Sequence, residues 1–187
     1  MRVIAGTARG VRLTAPAGLK TRPTADRVKE ALFSIIVSRC ELAGARVLDI
    51  CAGTGSLGIE ALSRGAASCC FIEQDRQVMS LLEGNLARAG LAGRGECLPV
   101  DGVKGLNLLS RQGKTFDIVF FDPPYQSNLY HSVLEALPAL SLLNDGGVLI
   151  AESASRNPPL EGRDGLVKID RRVYGDTALE FFVRENQ

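Results

Sequence analysis

Val47-Leu48-Asp49-Ile50-Cys51-Ala52-Gly53-Thr54-Gly55-Ser56-Leu57-Gly58 is an apolar strand that breaks into a glycine loop and restarts as a helix. Gly53, Gly55 and Gly58 satisfy G-x-G-x-x-G. The next apolar run ends on Glu73, roughly 20 residues on, which is the spacing of a nucleotide-binding fingerprint. Outward from this stretch the chain alternates short apolar strands with helices. Strands are expected over Val47–Ile50, Cys69–Glu73, Glu96–Val100, Ile118–Asp122 and Val148–Glu152, and helices over Ser56–Arg64, Asp75–Ala89, Val103–Arg111 and Leu129–Leu140. Nearly continuous apolar strands separated by helices mean a parallel sheet covered on both faces. Val167–Tyr174 and Ala178–Arg184 flank Gly175-Asp176, a hairpin signal, so the sheet should end in an antiparallel pair.

The segment before this alternation differs. Arg2–Ala5 and Val11–Leu13, joined across Gly6–Gly10, read as a β-hairpin. A loop follows, and Thr24 is a good N-cap for a helix carrying Asp26 in its first turn. The expected fold is therefore α/β: a Rossmann-like, seven-stranded, mostly parallel sheet with an antiparallel C-terminal hairpin and helices on both faces. A small N-terminal hairpin and helix over residues 1–40 would precede a body over residues 41–187.

The acids at the strand ends choose among nucleotide-like ligands. A carboxylate at Asp49, at the mouth of the glycine loop, would repel a pyrophosphate but attract ammonium and sulfonium charges. That favours S-adenosylmethionine over NAD, with backbone N–H groups of the loop holding the cofactor's carboxylate. Glu73 stands where a ribose-binding acid should, and Asp101, after the third strand, is placed to accept from the adenine amino group.

Asp122-Pro123-Pro124-Tyr125 ends the fourth strand. Two prolines fix φ and stiffen the preceding residues into extended backbone. Carboxylate, carbonyls and ring then form one surface, suited to an exocyclic amine on a planar base: acceptors for its N–H groups and an aromatic face for stacking. Alone, the quartet also fits an ordinary Pro-stiffened turn. Beside the cofactor acids it reads as a methyl-transfer site. His131, just beyond it, reads as a surface or capping residue before a catalytic base.

Bulk properties set the surroundings. The 187-residue chain is 45% hydrophobic and 23% charged, with a net charge of +1. Residues 1–30 hold seven basic side chains against Asp26 and Glu30, a local +5 that leaves −4 for the remainder. Such an arm suits phosphates. The five cysteines are odd in number and lack CxxC spacing, so they read as reduced, buried residues and not as a zinc site or disulfide set. No membrane span or signal segment is apparent, and the expected location is the cytoplasm.

With these motifs in place, the chain resembles class I S-adenosylmethionine-dependent methyltransferases. More narrowly it resembles the bacterial 16S ribosomal RNA guanine-N2 methyltransferase family. The likeness runs through Arg2-Val-Ile-Ala-Gly6, Gly10-Val-Arg-Leu13, Arg22-Pro-Thr-Ala-Asp-Arg27 with Glu30-Ala-Leu-Phe33, Gly58–Ala66 and Tyr174-Gly-Asp-Thr177. Cys51 departs from it, standing where an aromatic is expected. The resemblance implies that Asp49, Ala52, Gly53, Thr54, Gly55, Glu73, Gln74, Asp101 and Gly102 hold S-adenosyl-L-methionine. Asp122 and the Pro123 carbonyl would accept from the guanine 2-amino group, with Pro124 stiffening the turn and Tyr125 stacking on the base. Arg9, Arg12, Arg22, Thr24 and Arg27 would meet ribosomal RNA, within a 30S subunit or assembly intermediate, and no metal is required. A monomer is expected. The rival readings are a DNA adenine-N6 methyltransferase, an NAD-dependent oxidoreductase and a non-catalytic RNA-binding module.

Overall fold

The computed structural model describes residues 1–16, 23–124, 129–163 and 165–185, and of 23–25 the backbone alone. In chain order the elements are α1 (Pro23–Arg39), β1 (Arg46–Ile50), α2 (Ser56–Ser63), β2 (Ser68–Ile72), α3 (Arg76–Arg88), β3 (Gly95–Leu98), α4 (Gly102–Arg111), β4 (Phe116–Phe121), α5 (Leu129–Ala139), β5 (Leu143–Ala154), β6 (Leu166–Tyr174) and β7 (Thr177–Arg184). One seven-stranded sheet runs β3-β2-β1-β4-β5-β7-β6. Its first five strands are parallel, and β7 lies antiparallel between β5 and β6. The expected α/β, Rossmann-like architecture is the one observed.

Two-residue alternation sorts the strand side chains into two cores. Val47, Phe71, Ile118, Phe120 and Ile150 face the side covered by α1, α2 and α3. Leu48, Ile72, Val119, Phe121 and Leu149 face the side covered by α4 and α5. With both faces buried, the strands present little but apolar residues, which is why they were readable as continuous runs. The order of chain reverses between β1 and β4, so a crevice opens at the carboxyl ends of these strands, where open α/β sheets take ligands.

Two local expectations are corrected. Arg2–Ala5 and Val11–Leu13 pair antiparallel, but only through one bridge, Arg2 with Arg12, flanked by Val3 N–H to the Val11 carbonyl and Leu13 N–H to the Met1 carbonyl, each at 3.0 Å; they do not extend into regular strands. The reason is competition for backbone donors. Ile4 N–H and Ala5 N–H donate to the carboxylate of Glu60 on α2, at 2.8 and 3.0 Å. The arm is thus bound to the helix as well as to itself. Helix α1 begins at Pro23, so Thr24 lies inside the first turn and is not its N-cap. Proline suits the first helical position because its missing N–H is not needed there.

Gly58 fixes how closely α2 lies on the sheet, since a Cβ there would stand 2.3 Å from the Phe71 ring and 2.6 Å from Cys69 Sγ. Gly58→Ala is expected to cost about 1–3 kcal/mol through overpacking. Urea unfolding with an unchanged slope and a lower midpoint would register it.

Candidate active site

Each of the five parallel strands delivers a carboxylate at or near its carboxyl end: in spatial order Asp101 after β3, Glu73 after β2, Asp49 within β1, Asp122 after β4 and Glu152 within β5. The glycine loop spans the middle of this row. Asp49 is buried, and its Oδ2 accepts from Gly58 N–H at 2.9 Å. Burial pushes its carboxyl up to about 7; the Gly58 bond opposes that rise and Glu73 adds to it. Glu73 grips the loop from the neighbouring strand, its Oε2 accepting from Gly53 N–H at 3.0 Å and its Oε1 from Asp75 N–H at 2.9 Å. Ala52 N–H donates to the Ile72 carbonyl, and Gly55 N–H to the Ala52 carbonyl. Thr54 is buried, while Gln74 is exposed on the β2–α3 turn.

Cys51 enters this loop with φ at 61°, an uncommon conformation for a residue with a side chain. Burial, then Glu73, Asp122 and Asp49, push its thiol up to about 12, so it stays protonated and is no nucleophile. Asp101 caps α4, with Oδ1 accepting from Lys104 N–H at 3.0 Å and Oδ2 paired to Lys104 Nζ at 3.0 Å. The Lys104 backbone bond is the main cause of its lowered carboxyl pKa. Gly102, the first residue of α4, is buried behind it.

Asp122 opens to solvent at the crevice while protein crowds its other sides. Lost hydration pushes its carboxyl well above the ordinary range, and the charges of Glu152 and Asp49 push it further. Pro123 is buried and Pro124 exposed, whereas Tyr125 lies outside the described residues. Arg9, Arg12 and Arg27 are all exposed. Arg22 and the side chain of Thr24 lie outside the described residues. His131 is exposed on α5, its Nε2 3.0 Å from Glu135 Oε1.

Sequence reading missed Glu152. Phe121 pairs with Ala151 in the parallel register of β4 and β5, so Asp122 and Glu152 follow as adjacent carboxylates. Thr177 Oγ1 donates to Glu152 Oε1 at 3.4 Å, and Tyr130 O–H donates to the Glu152 carbonyl at 2.7 Å. The available signal was the pattern itself: four strands ended on an acid, and the fifth was overlooked. A recess of about 380 Å³ lies at the opposite, amino edge, lined by Arg46, Ser68, Glu96 and Lys114 among others. Of its cations, Lys114 pairs with Glu96 and Arg46 with Asp117, while Arg94 Nη1 donates to the Ala66 carbonyl at 3.2 Å.

Removing the neighbouring charge should lower the Asp122 midpoint. Glu152→Gln is expected to move the carboxyl titration of Asp122, followed by carbon-13 NMR, to lower pH. The protein crowding its inner side and the Asp49 charge should still hold it above the ordinary carboxylate value.

Comparison with known proteins agrees with this fold. The Escherichia coli (strain K12) protein named ribosomal RNA small subunit methyltransferase D is 35% identical over 191 residues, covering 100% of this chain and 91% of the relative. The solved structure titled "Putative methyltransferase yhhF from Escherichia coli" superposes with a TM-score of 0.87 at 35% identity, covering 100% of this chain and 99% of that one. At the level of fold alone, the structure titled "Crystal structure of SMU.776, a putative methyltransferase complexed with SAH" matches at 17% identity with a TM-score of 0.66, over 84% of this chain and 48% of that one. The family described as Conserved hypothetical protein 95 matches residues 1–183, and the chain belongs to that family, in which the small-subunit ribosomal RNA methyltransferases D also fall.

Proposed function

We propose that this protein transfers a methyl group from S-adenosylmethionine to the exocyclic N2 amine of a guanine in 16S ribosomal RNA. The observation that carries the reading is the adjacent Asp122–Glu152 pair beside the acid-held glycine loop. The donor set suits the cofactor: Asp49 and Glu73 flank the loop with negative charge, matching the cofactor's ammonium and sulfonium groups. Asp49, Ala52, Gly53, Thr54, Gly55, Glu73 and Gln74 would surround its methionine and ribose, and Asp101 and Gly102 its adenine. When bound, the cofactor supplies a methyl group on a positively charged sulfur.

The residues of the chain then have defined tasks. Asp122 and the Pro123 carbonyl accept the two N–H bonds of the amine, which draws its lone pair out of the ring and aligns it for in-line attack. Tyr125 stacks on the base once it has left its helix, and Pro124 keeps that ring in place. Methylation would leave the amine nitrogen acidic. Asp122, whose affinity for protons is raised by burial and Glu152, takes the proton. Residues 1–40 form the RNA-gripping extension of the 41–187 body, with Arg9, Arg12, Arg22, Thr24 and Arg27 facing phosphates. The relatives' names support ribosomal RNA over DNA, and the RNA would be met within a 30S subunit or assembly intermediate. The protein would act as a cytoplasmic monomer; no helix among the described residues is long and apolar enough to cross a membrane.

Two outcomes follow. Asp122→Ala should lose transfer by at least about 100-fold while calorimetry shows S-adenosylhomocysteine binding nearly unchanged. Labelled cofactor offered with 30S particles, free 16S RNA and DNA should mark a guanine N2 in RNA, and label confined to DNA adenine would overturn the assignment. Asp49 adds a pH signature. Its folded pKa of about 7 exceeds the ordinary 3.8, and a cationic ligand favours its ionised form. S-adenosylmethionine affinity should therefore rise with pH through about 7. That rise should be missing from Asp49→Asn, measured over the same pH series to remove the ligand's own titration.

A further inference from the structure

Asn85 is fully buried on α3, and nothing in the proposed chemistry uses it. Its side chain nevertheless joins the two parts of the molecule that meet the two substrates. Nδ2 donates to the carbonyl of Thr54 in the glycine loop and to the carbonyl of Thr14 in the amino-terminal arm, both at 3.0 Å. Oδ1 accepts from Thr14 N–H at 2.8 Å. Arg88 closes the outside of this joint, its Nη1 reaching Asn85 Oδ1 and Thr14 Oγ1, each at 2.9 Å. A second strap works at the other end of the arm. The buried Lys29 Nζ donates to the Arg2 carbonyl at 2.7 Å and to Ser56 Oγ, at the start of α2, at 3.2 Å.

The exposed arginines Arg9 and Arg12 therefore sit on a segment whose backbone is locked to the cofactor loop. We propose that Asn85 is a positioning residue for methyl transfer, holding the RNA-contacting arm and the cofactor loop in one fixed relation. This rests on the functional reading above. Alignment of two bound partners acts on the rate of the step and not on the affinity for either, because each retains its own contacts.

Asn85→Leu keeps the approximate volume and removes all the bridging bonds. With RNA and labelled cofactor both saturating, its single-turnover rate should fall about 10- to 100-fold. Affinity for RNA and for S-adenosylhomocysteine, each measured separately by binding, should stay within about 3-fold, as expected when ground-state contacts survive. Amide exchange at Thr14 should accelerate. Arg88→Met, at an exposed position, decides the matter if Asn85→Leu does not fold; it should show a smaller rate loss of the same kind, about 3- to 10-fold. An undiminished rate, or a loss fully recovered by raising the RNA or cofactor concentration, overturns the inference while leaving the reaction assignment intact. Wild-type protein that transferred no methyl to any RNA would instead overturn the functional reading and this inference with it.

Discussion

The site depends on one buried bond, from Gly58 N–H to Asp49 Oδ2 over 2.9 Å. An isolated carboxylate in an apolar core is costly, and a hydrogen-bond donor at a helix start is the kind of partner that offsets the cost. The bond fixes where β1 stops and α2 begins, and it shapes the loop between them. Gly58 has no Cβ, which lets that helix rest directly on Phe71 and Cys69. From the next strand Glu73 secures Gly53, so acids of two strands hold one loop. Asp49 also reaches further. Its charge is among the causes that raise Asp122, which links cofactor loop and proposed proton acceptor electrostatically.

The basic arm belongs to the same construction. Glu60, fully buried on α2, accepts from Ile4 N–H, Ala5 N–H and Arg64 Nε, and its Oε2 lies 3.3 Å from Lys29 Nζ. Arg64 in turn lies over the Phe33 ring at 4.7 Å, and Phe33 meets Phe120 of the central strand. A buried ion pair of this kind contributes less to net stability than to a unique arrangement, because its desolvation offsets most of its attraction. Here the arrangement places a positively charged segment against the helix that starts at the cofactor loop. The positive charge of the arm and the negative charge at the glycine loop are held apart but on one frame.

Much of this was legible in the chain. The central parallel strands β1, β2, β4 and β5 announce themselves because burial on both faces leaves little polar alternation, and Asp49, Glu73, Asp101 and Asp122 stand out as acids at or near the ends of the runs. The amino-terminal pairing is shorter than the expected hairpin because the partner of Ile4 and Ala5 is Glu60, more than fifty residues away and unmarked by any local signal. Glu152 closes the strand expected over Val148–Glu152 and so fits the pattern of strand-end acids, but no glycine or proline motif immediately follows to mark it; the pairing of Phe121 with Ala151 puts it beside Asp122. Asn85 is equally plain within α3, since its partners Thr14 and Thr54 meet only through tertiary packing. In each case a contact distant in sequence decided a role that composition and spacing do not encode.

The central claim is that the carboxyl edge of the sheet binds the methyl donor. Titrating nitrogen-15-labelled protein with S-adenosylhomocysteine and mapping amide shifts tests it most directly. The account predicts shifts concentrated at Gly53, Gly55, Glu73, Asp101 and Asp122, with the amino-edge recess around Ser68, Gly95 and Glu96 silent. Shifts centred on that recess, with the glycine loop unchanged, would contradict it.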